Sequence, residues 1–385
     1  MTVPVAIVGG GPAGLTVAYL LQRAGVPYVL LEREAEVGAQ PRAGAVEYRT
    51  VELLRREGIA DGVVGFSAQN HECEFRTADD SVVLDYGRLA GGRPHYIHPQ
   101  HRLVRELHAA LDPAYVRCGH TVERVFPTTN GVTLRVTGPD GSPTDMECDV
   151  VVGCEGSHSP VAAAMSGLSI MEQRYDVRWL ATIAAAAPLE PRTIYAAHPR
   201  GFAGQMRRDP THTRYYLEVP ASDTAELWPV DRIRGELATR LGVGDRLGGV
   251  PFDEVGFLDL RVRMVSPMQQ GRLFLAGDAA HLITPAGGKG MNLAIQDAVE
   301  LAHGLIERFT GGDPSRLDGY SATRLHLIWR TQAFSNWFLR VILARGGDPF
   351  ETGLRGGWIG ALKDDPLLAR WFAHAYAGAD PLPAD

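Results

Sequence analysis

The spacing of apolar residues changes period along the chain, and each change predicts a different element. Residues 3–8, "VPVAIV", form an unbroken apolar run that ends in glycines, the pattern of a strand buried on both faces. From Pro12 to Ala24 apolar positions recur at helical spacing, and a second apolar run follows from Tyr28 to Leu31. This order of strand, glycine turn, helix and strand predicts a βαβ unit. Arg102 to Leu111 reads as a helix; a meander turns at "TNG" and "PDGS" and ends in a strand at Val150 to Val152. Period-two runs such as "TRYYLEV" dominate from about Arg174 to Ser266, broken by an amphipathic stretch from Val230 to Leu241. A short strand, Leu273 to Ala276, opens onto "GDAAHLITPAGGKGMNLAIQDA", with a helix starting near Met291. Helical spacing returns from about Pro314, with a broad aromatic face made of Trp329, Phe334, Trp337 and Phe338.

The first turn carries chemistry. Gly9, Gly11 and Gly14 give G-x-G-x-x-G between a strand and a helix. Gly9 suits a tight turn, Gly11 lets backbone approach a pyrophosphate, and Gly14 lets the helix pack on the strand. Pro12 fits the first helical turn, and the helix N-terminus offers N–H groups to phosphates. Glu32 ends the second strand, where a carboxylate can bond ribose hydroxyls. Together these predict dinucleotide binding. In the later glycine-rich stretch, Asp278 follows a strand end and precedes a helix. An Asp there can accept a bond from a ribityl hydroxyl, or simply cap a turn.

With 385 residues, 45% hydrophobic and 22% charged, the chain can build more than one core. A net charge of −7 argues against nucleic acid or an anionic membrane as partner, and no apolar run reaches transmembrane length. The four cysteines, Cys73, Cys118, Cys148 and Cys154, show neither metal spacing nor a disulfide framework. With no leader pattern at the start, a cytoplasmic protein without a metal is expected.

"GGGPAGL", "DVVVGCEGSHS" and the stretch from Gly277 to Ala298 resemble the three signatures of the class A flavoprotein aromatic hydroxylases. The likeness continues through "IYAAHPRGFA", "RYYLEVP" and "YSATRLHLIWRTQAFSNWFLRVILARG", with the 4-hydroxybenzoate hydroxylases as the most similar subgroup. It implies a mixed α/β fold. A Rossmann-like FAD-binding domain would span residues 1–173 and 267–312, a β-rich substrate domain 174–266, and a C-terminal helical, interface-forming region 313–385. It also implies FAD as cofactor, NADPH or NADH as co-substrate, O2, a small aromatic acid and a homodimer. The reaction would be hydroxylation of a phenolic acid, 4-hydroxybenzoate or a close analogue, ortho to its hydroxyl by a flavin C4a-hydroperoxide.

By that resemblance the cofactor-binding residues are Gly9, Gly11, Gly14, Glu32, Arg33, Arg42, Gln100, Asp278, Lys289, Gly290, Met291 and Asn292. Tyr195 and Tyr376 match the two tyrosines, and His71 the solvent-end histidine, of a proton relay that turns the substrate phenol into a phenolate, and the Pro285 carbonyl would face the substrate hydroxyl. Arg208, Tyr216 and Arg214 would bind the substrate. Met206 stands where the subgroup has a serine on the substrate carboxylate, and methionine supplies no such donor. An amino-aromatic acid, or a ring lacking the para-carboxylate, is therefore an alternative substrate. Glu155 replaces the usual Asp of one signature and Ala162 a frequent arginine, departures that bear on nicotinamide nucleotide binding. A flavin oxidase or dehydrogenase, or a non-catalytic flavin-binding regulator, could use the same fold.

Overall fold

A computed structural model describes residues 3–37, 44–59, 61–344 and 348–378. The opening pattern folds as its period requires: a strand Val3–Val8, a helix Pro12–Arg23 and a strand Tyr28–Glu32. Val5, Ala6 and Ile7 are completely buried because the strand is central. It pairs in parallel with Tyr28–Glu32 on one side and Pro143–Gly153 on the other. Leu273–Leu275 then adds in parallel to Pro143–Gly153, so the return segment completes the nucleotide-type sheet. The meander is an antiparallel ribbon of Thr121–Pro127, Val132–Thr137 and Pro143–Gly153.

A second sheet of eight strands runs in the order His281–Leu282, Phe252–Ser266, Ser169–Ala184, Thr213–Pro220, Gly201–Arg207, Thr193–His198, Glu72–Arg76 and Ser81–Asp85. Strand alternation divides its side chains. Leu180, Ala203, Tyr215 and Leu217 pack with Ile233 and Leu237 of the helix Val230–Leu241. Trp179, Tyr195, Phe202 and Tyr216 turn the other way, into a cluster with Phe334, Phe338, Phe372 and Tyr376 of the C-terminal helices. Glu72–Arg76 and Ser81–Asp85 precede residue 174; the first joins this sheet by parallel pairing with Thr193–His198 and the second adds antiparallel to the first.

The helix of the glycine-rich stretch spans Lys289–Thr310. It starts before Met291 because Gly288, at φ +66°, is its left-handed N-cap. Of the expected aromatic face, Phe334 and Phe338 are core, while Trp329 is exposed. Among the described residues no helix is long and apolar enough to cross a membrane, and no cluster of His, Cys, Asp or Glu could hold a metal.

Candidate active site

The first turn is shaped as a cradle. A Cβ on Gly14 would lie 1.9 Å from the Gly9 carbonyl oxygen, so the helix can cross the strand this closely only with glycine there. A Cβ on Gly11 would meet open space, leaving a path for a ligand to the helix start. No side chain caps that N-terminus and its first turn holds no acid, so its N–H groups and partial positive charge suit a phosphate. Glu32 Oε2 accepts from the Gly10 N–H at 2.5 Å and Oε1 from the Glu34 N–H at 2.9 Å, which holds the carboxylate beside the turn. Arg33 is exposed and pairs with Glu34. Gln100 opens the helix Gln100–Ala109 and is half-buried. Arg42 lies outside the described residues.

Asp278 sits in the single helical turn Gly277–Ala279, at the end of Leu273–Leu275. That turn is anchored by a residue the sequence did not single out. The Asp297 carboxylate is fully buried and accepts from the Gly277 N–H at 3.0 Å, His281 Nε2 at 2.5 Å and Arg324 Nε at 2.7 Å. Burial pushes its carboxyl up, but His281 and Arg324 together outweigh burial and hold it below the ordinary range.

Beyond the turn, the Pro285 carbonyl accepts the Gly288 N–H at 3.0 Å. Lys289 is neither a solvated loop lysine nor an open cation. It is buried, its ammonium 2.7 Å from Glu47 Oε1, and it donates to the carbonyls of Ala375 (2.7 Å) and Tyr376 (2.8 Å). Those carbonyls end the helix Pro366–Ala377, where a cation is favoured. Burial lowers the Lys289 pKa and raises that of Glu47, and the ion pair opposes both shifts. Asn292 accepts from the Glu47 N–H at 2.9 Å and donates to the Gly288 carbonyl at 2.9 Å. Gly290 is half-buried and Met291 joins the core of the nucleotide-type domain.

The tyrosines meet. The Tyr195 and Tyr376 hydroxyls lie 2.7 Å apart although 181 positions separate them in sequence. Phe75 and Phe338 enclose the Tyr195 ring, and Phe372 stacks on Tyr376 at 5.1 Å. Burial raises the pKa of both hydroxyls, so each exchanges protons as a neutral donor–acceptor. His71 lies at the surface, a position compatible with the solvent end of a relay, and its ring bonds Gln69 Oε1 at 3.2 Å. A different imidazole, His95, is buried against Tyr376, with Nε2 2.7 Å from its carbonyl oxygen. No spacing pattern in the sequence marks His95; the contact is purely tertiary.

Sheet register sets the substrate side. Tyr195, Gly204, Tyr216 and Ala181 are successive cross-strand partners, and Met206, Arg214 and Ile183 form the next such row. Tyr216 packs on Trp179 with ring centroids 5.3 Å apart, and Met206 is half-buried against the aromatic cluster. Arg208 follows that strand in the hairpin, half-buried, its N–H donating to the His212 carbonyl at 3.1 Å. The Glu155 carboxylate turns inward, accepting from Ser159 Oγ at 2.5 Å and the Val161 N–H at 3.3 Å. Burial pushes its pKa up to about 7.

A glycine cradle, an Asp-bearing turn and a buried tyrosine pair are thus held by two sheets and the helix Pro366–Ala377. Comparison with known proteins decides what they belong to. The family model described as "FAD binding domain" matches residues 2–335. The chain is 33% identical to p-hydroxybenzoate hydroxylase of Acinetobacter baylyi, over 91% of this chain and 88% of the relative. The chain belongs to the flavin-dependent aromatic monooxygenases of this FAD-binding family. Another member of that group, the 12-dehydrotetracycline 5-monooxygenase/anhydrotetracycline 6-monooxygenase of Streptomyces rimosus, is 32% identical over 84% of this chain and 67% of its own length. The fold is shared with p-nitrophenol 4-monooxygenase of Pseudomonas putida, at a TM-score of 0.87, 24% identity and 99% coverage of both chains.

The cradle fits FAD, the cofactor of this family. The open approach at Gly11, the uncapped helix start and the Glu32 carboxylate suit a pyrophosphate and a ribose. These residues and Asp278 would hold it.

Proposed function

We propose that this flavin-dependent aromatic monooxygenase hydroxylates a small phenolic acid, 4-hydroxybenzoate or a close analogue, ortho to its hydroxyl. NADPH or NADH is the reductant and O2 the second substrate. The observation that carries the reading is the buried Tyr195–Tyr376 hydroxyl pair, with Tyr195 on the same sheet face as Tyr216, Met206 and Arg214 and Tyr376 reaching it from the helix Pro366–Ala377.

FAD, when bound, supplies the redox chemistry that couples NAD(P)H oxidation to oxygen transfer. The chain's part is to bind the ring, exclude water and move one proton. Oxygen transfer to an aromatic ring is electrophilic, so the ring must be made electron-rich by removing its phenolic proton. The Tyr195 hydroxyl accepts that proton while passing its own to the Tyr376 hydroxyl 2.7 Å away, which in turn releases its own toward solvent by way of the surface His71. The aromatic shell of Phe75, Phe338 and Phe372 keeps water from the pair. Arg208 grips the substrate carboxylate and Tyr216 assists, with Met206 in place of a second hydroxyl donor. Phe350, Leu354, Trp358, Leu367 and Trp371 are exposed on the last two helices, an apolar face that a second copy of the chain would cover.

Met206 supports a second reading, a ring lacking the para-carboxylate. A panel of phenolic and amino-aromatic acids, scored by stimulated NAD(P)H oxidation and by product formed, separates the two. Tyr195→Phe is expected to retain NAD(P)H oxidation but divert it to hydrogen peroxide. Fully coupled turnover in that variant refutes the relay. Absence of stimulation by every aromatic points instead to a non-catalytic regulator or to an oxidase, and flavin reduction by substrate alone identifies the oxidase.

A further inference from the structure

His71 and His95 are both remote from the tyrosine pair in sequence, and the fold brings only His95 into contact with Tyr376. His71 is at the surface, bonded to Gln69. His95 begins the short strand His95–Ile97, paired opposite Asn70, and is 4% exposed. Its ring packs on Tyr376 with centroids 4.6 Å apart and on Tyr86 at 5.2 Å. The Tyr86 ring meets Tyr376 edge-on at 4.8 Å, and the Tyr86 hydroxyl donates to the Asn70 carbonyl. The His95 N–H in turn donates to that hydroxyl at 3.4 Å. His95 is therefore wedged between Tyr86 and Tyr376.

We infer that His95 is a positioning residue, whose imidazole anchors Tyr376 and thereby sets the contact between the Tyr195 and Tyr376 hydroxyls. This rests on the proposed role of the tyrosine pair. A carbonyl oxygen only accepts, so His95 Nε2, 2.7 Å from the Tyr376 carbonyl, carries a proton and donates it. Burial, reinforced by the nearby Lys289 ammonium, pushes the His95 pKa down to about 3, so the ring is neutral at working pH. The Tyr376 carbonyl thus takes two donors, His95 Nε2 and Lys289 Nζ at 2.8 Å. It lies in the last turn of the helix Pro366–Ala377, beside the left-handed Gly378, where no further helical N–H among the described residues holds it. Between that carbonyl and the hydroxyl only two side-chain torsions intervene, and His95 and Phe372 pack the ring. A backbone anchor therefore fixes where the hydroxyl lies. Lys289 ties the same carbonyl to the start of the helix Lys289–Thr310, so the two donors register the tyrosine pair against the flavin-side helix.

The test uses FAD-loaded enzyme with 4-hydroxybenzoate as probe, comparing wild type, Tyr195→Phe, His95→Phe, His95→Met and His95→Gln. His95→Phe and His95→Met keep apolar bulk but lose the donor; His95→Gln keeps an N–H donor. Three quantities are read: product formed per NAD(P)H, apparent pKa of the bound phenol by difference absorbance, and melting temperature. The donor-free variants are expected to raise the ratio of peroxide to product on the order of fivefold, the scale of one lost hydrogen bond, and to raise the phenol pKa. His95→Gln should recover most of both, a rescue that a purely packing role would not give. If Tyr195→Phe uncouples turnover while folded His95→Phe or His95→Met matches wild type, the assignment of His95 is overturned and the relay stands. Folded His95→Gln that is as uncoupled as the donor-free variants overturns it equally. If Tyr195→Phe stays coupled, the relay itself fails, and the role of His95 with it.

Discussion

Asp297→Asn probes the buried anchor of the turn that carries Asp278. The substitution preserves shape but removes the negative charge and turns an amide N–H2 toward groups that already donate. The carboxylate accepts three bonds, from the Gly277 N–H, His281 Nε2 and Arg324 Nε. Arg324 is 4% exposed, so the variant leaves a guanidinium buried without its anion. Breaking such a pair from one side costs about 3–5 kcal/mol. For a protein of this size that corresponds to a fall of roughly 5 °C in melting temperature. The sign with pH follows from the lowered carboxyl pKa of Asp297. Its contribution is full above the ordinary carboxylate range and is lost as pH falls through the depressed value. The gap between wild type and variant should therefore be flat at neutral pH and close in acid. Differential scanning calorimetry across pH measures this. Adding Arg324→Met removes the orphaned charge, so the double variant should be more stable than the sum of the single losses. A melting temperature within about 3 °C of wild type for Asp297→Asn, or strict additivity in the pair, refutes the reasoning.

Lys289→Met strands the buried Glu47 carboxylate and should cost about 3 kcal/mol in denaturant unfolding, with Glu47→Gln added in the same chain restoring much of it. Glu155 has its pKa raised from 4.5 to about 7 by burial. Its raised value makes folding less favourable as pH climbs between those values, by at most roughly 3 kcal/mol, and Glu155→Gln should flatten that slope in pH-dependent melting. Met206→Ser restores a hydroxyl donor beside Arg214 and should tighten 4-hydroxybenzoate binding about fivefold by titration, whereas an unchanged or weaker Kd removes Met206 from the pocket.

Local pattern determined the opening of this protein well. Apolar runs and the G-x-G-x-x-G spacing define Val3–Val8, Pro12–Arg23 and Tyr28–Glu32 almost to the residue, because period and glycine stereochemistry act over a few neighbouring positions. The amphipathic helix Val230–Leu241 was equally legible. The helix at Lys289 was legible in kind, its start decided by the left-handed Gly288. Tyr195 and Tyr376 were named from resemblance, but their 2.7 Å contact joins positions 181 apart that share no periodic trace. The same limit hid Glu72–Arg76 and Ser81–Asp85 in the second sheet, since parallel pairing with Thr193–His198 depends on the path of the chain. It also hid the roles of Glu47, His95, Asp297 and Arg324. A charged or polar residue buried this deeply is defined by its partner, and those partners come from remote segments. The sequence by itself determined the nucleotide cradle and the alternation of the sheets. Only the tertiary structure decided which buried charges meet, that Lys289 binds Glu47 and a helix end, and that His95 rather than His71 lies against the tyrosine pair.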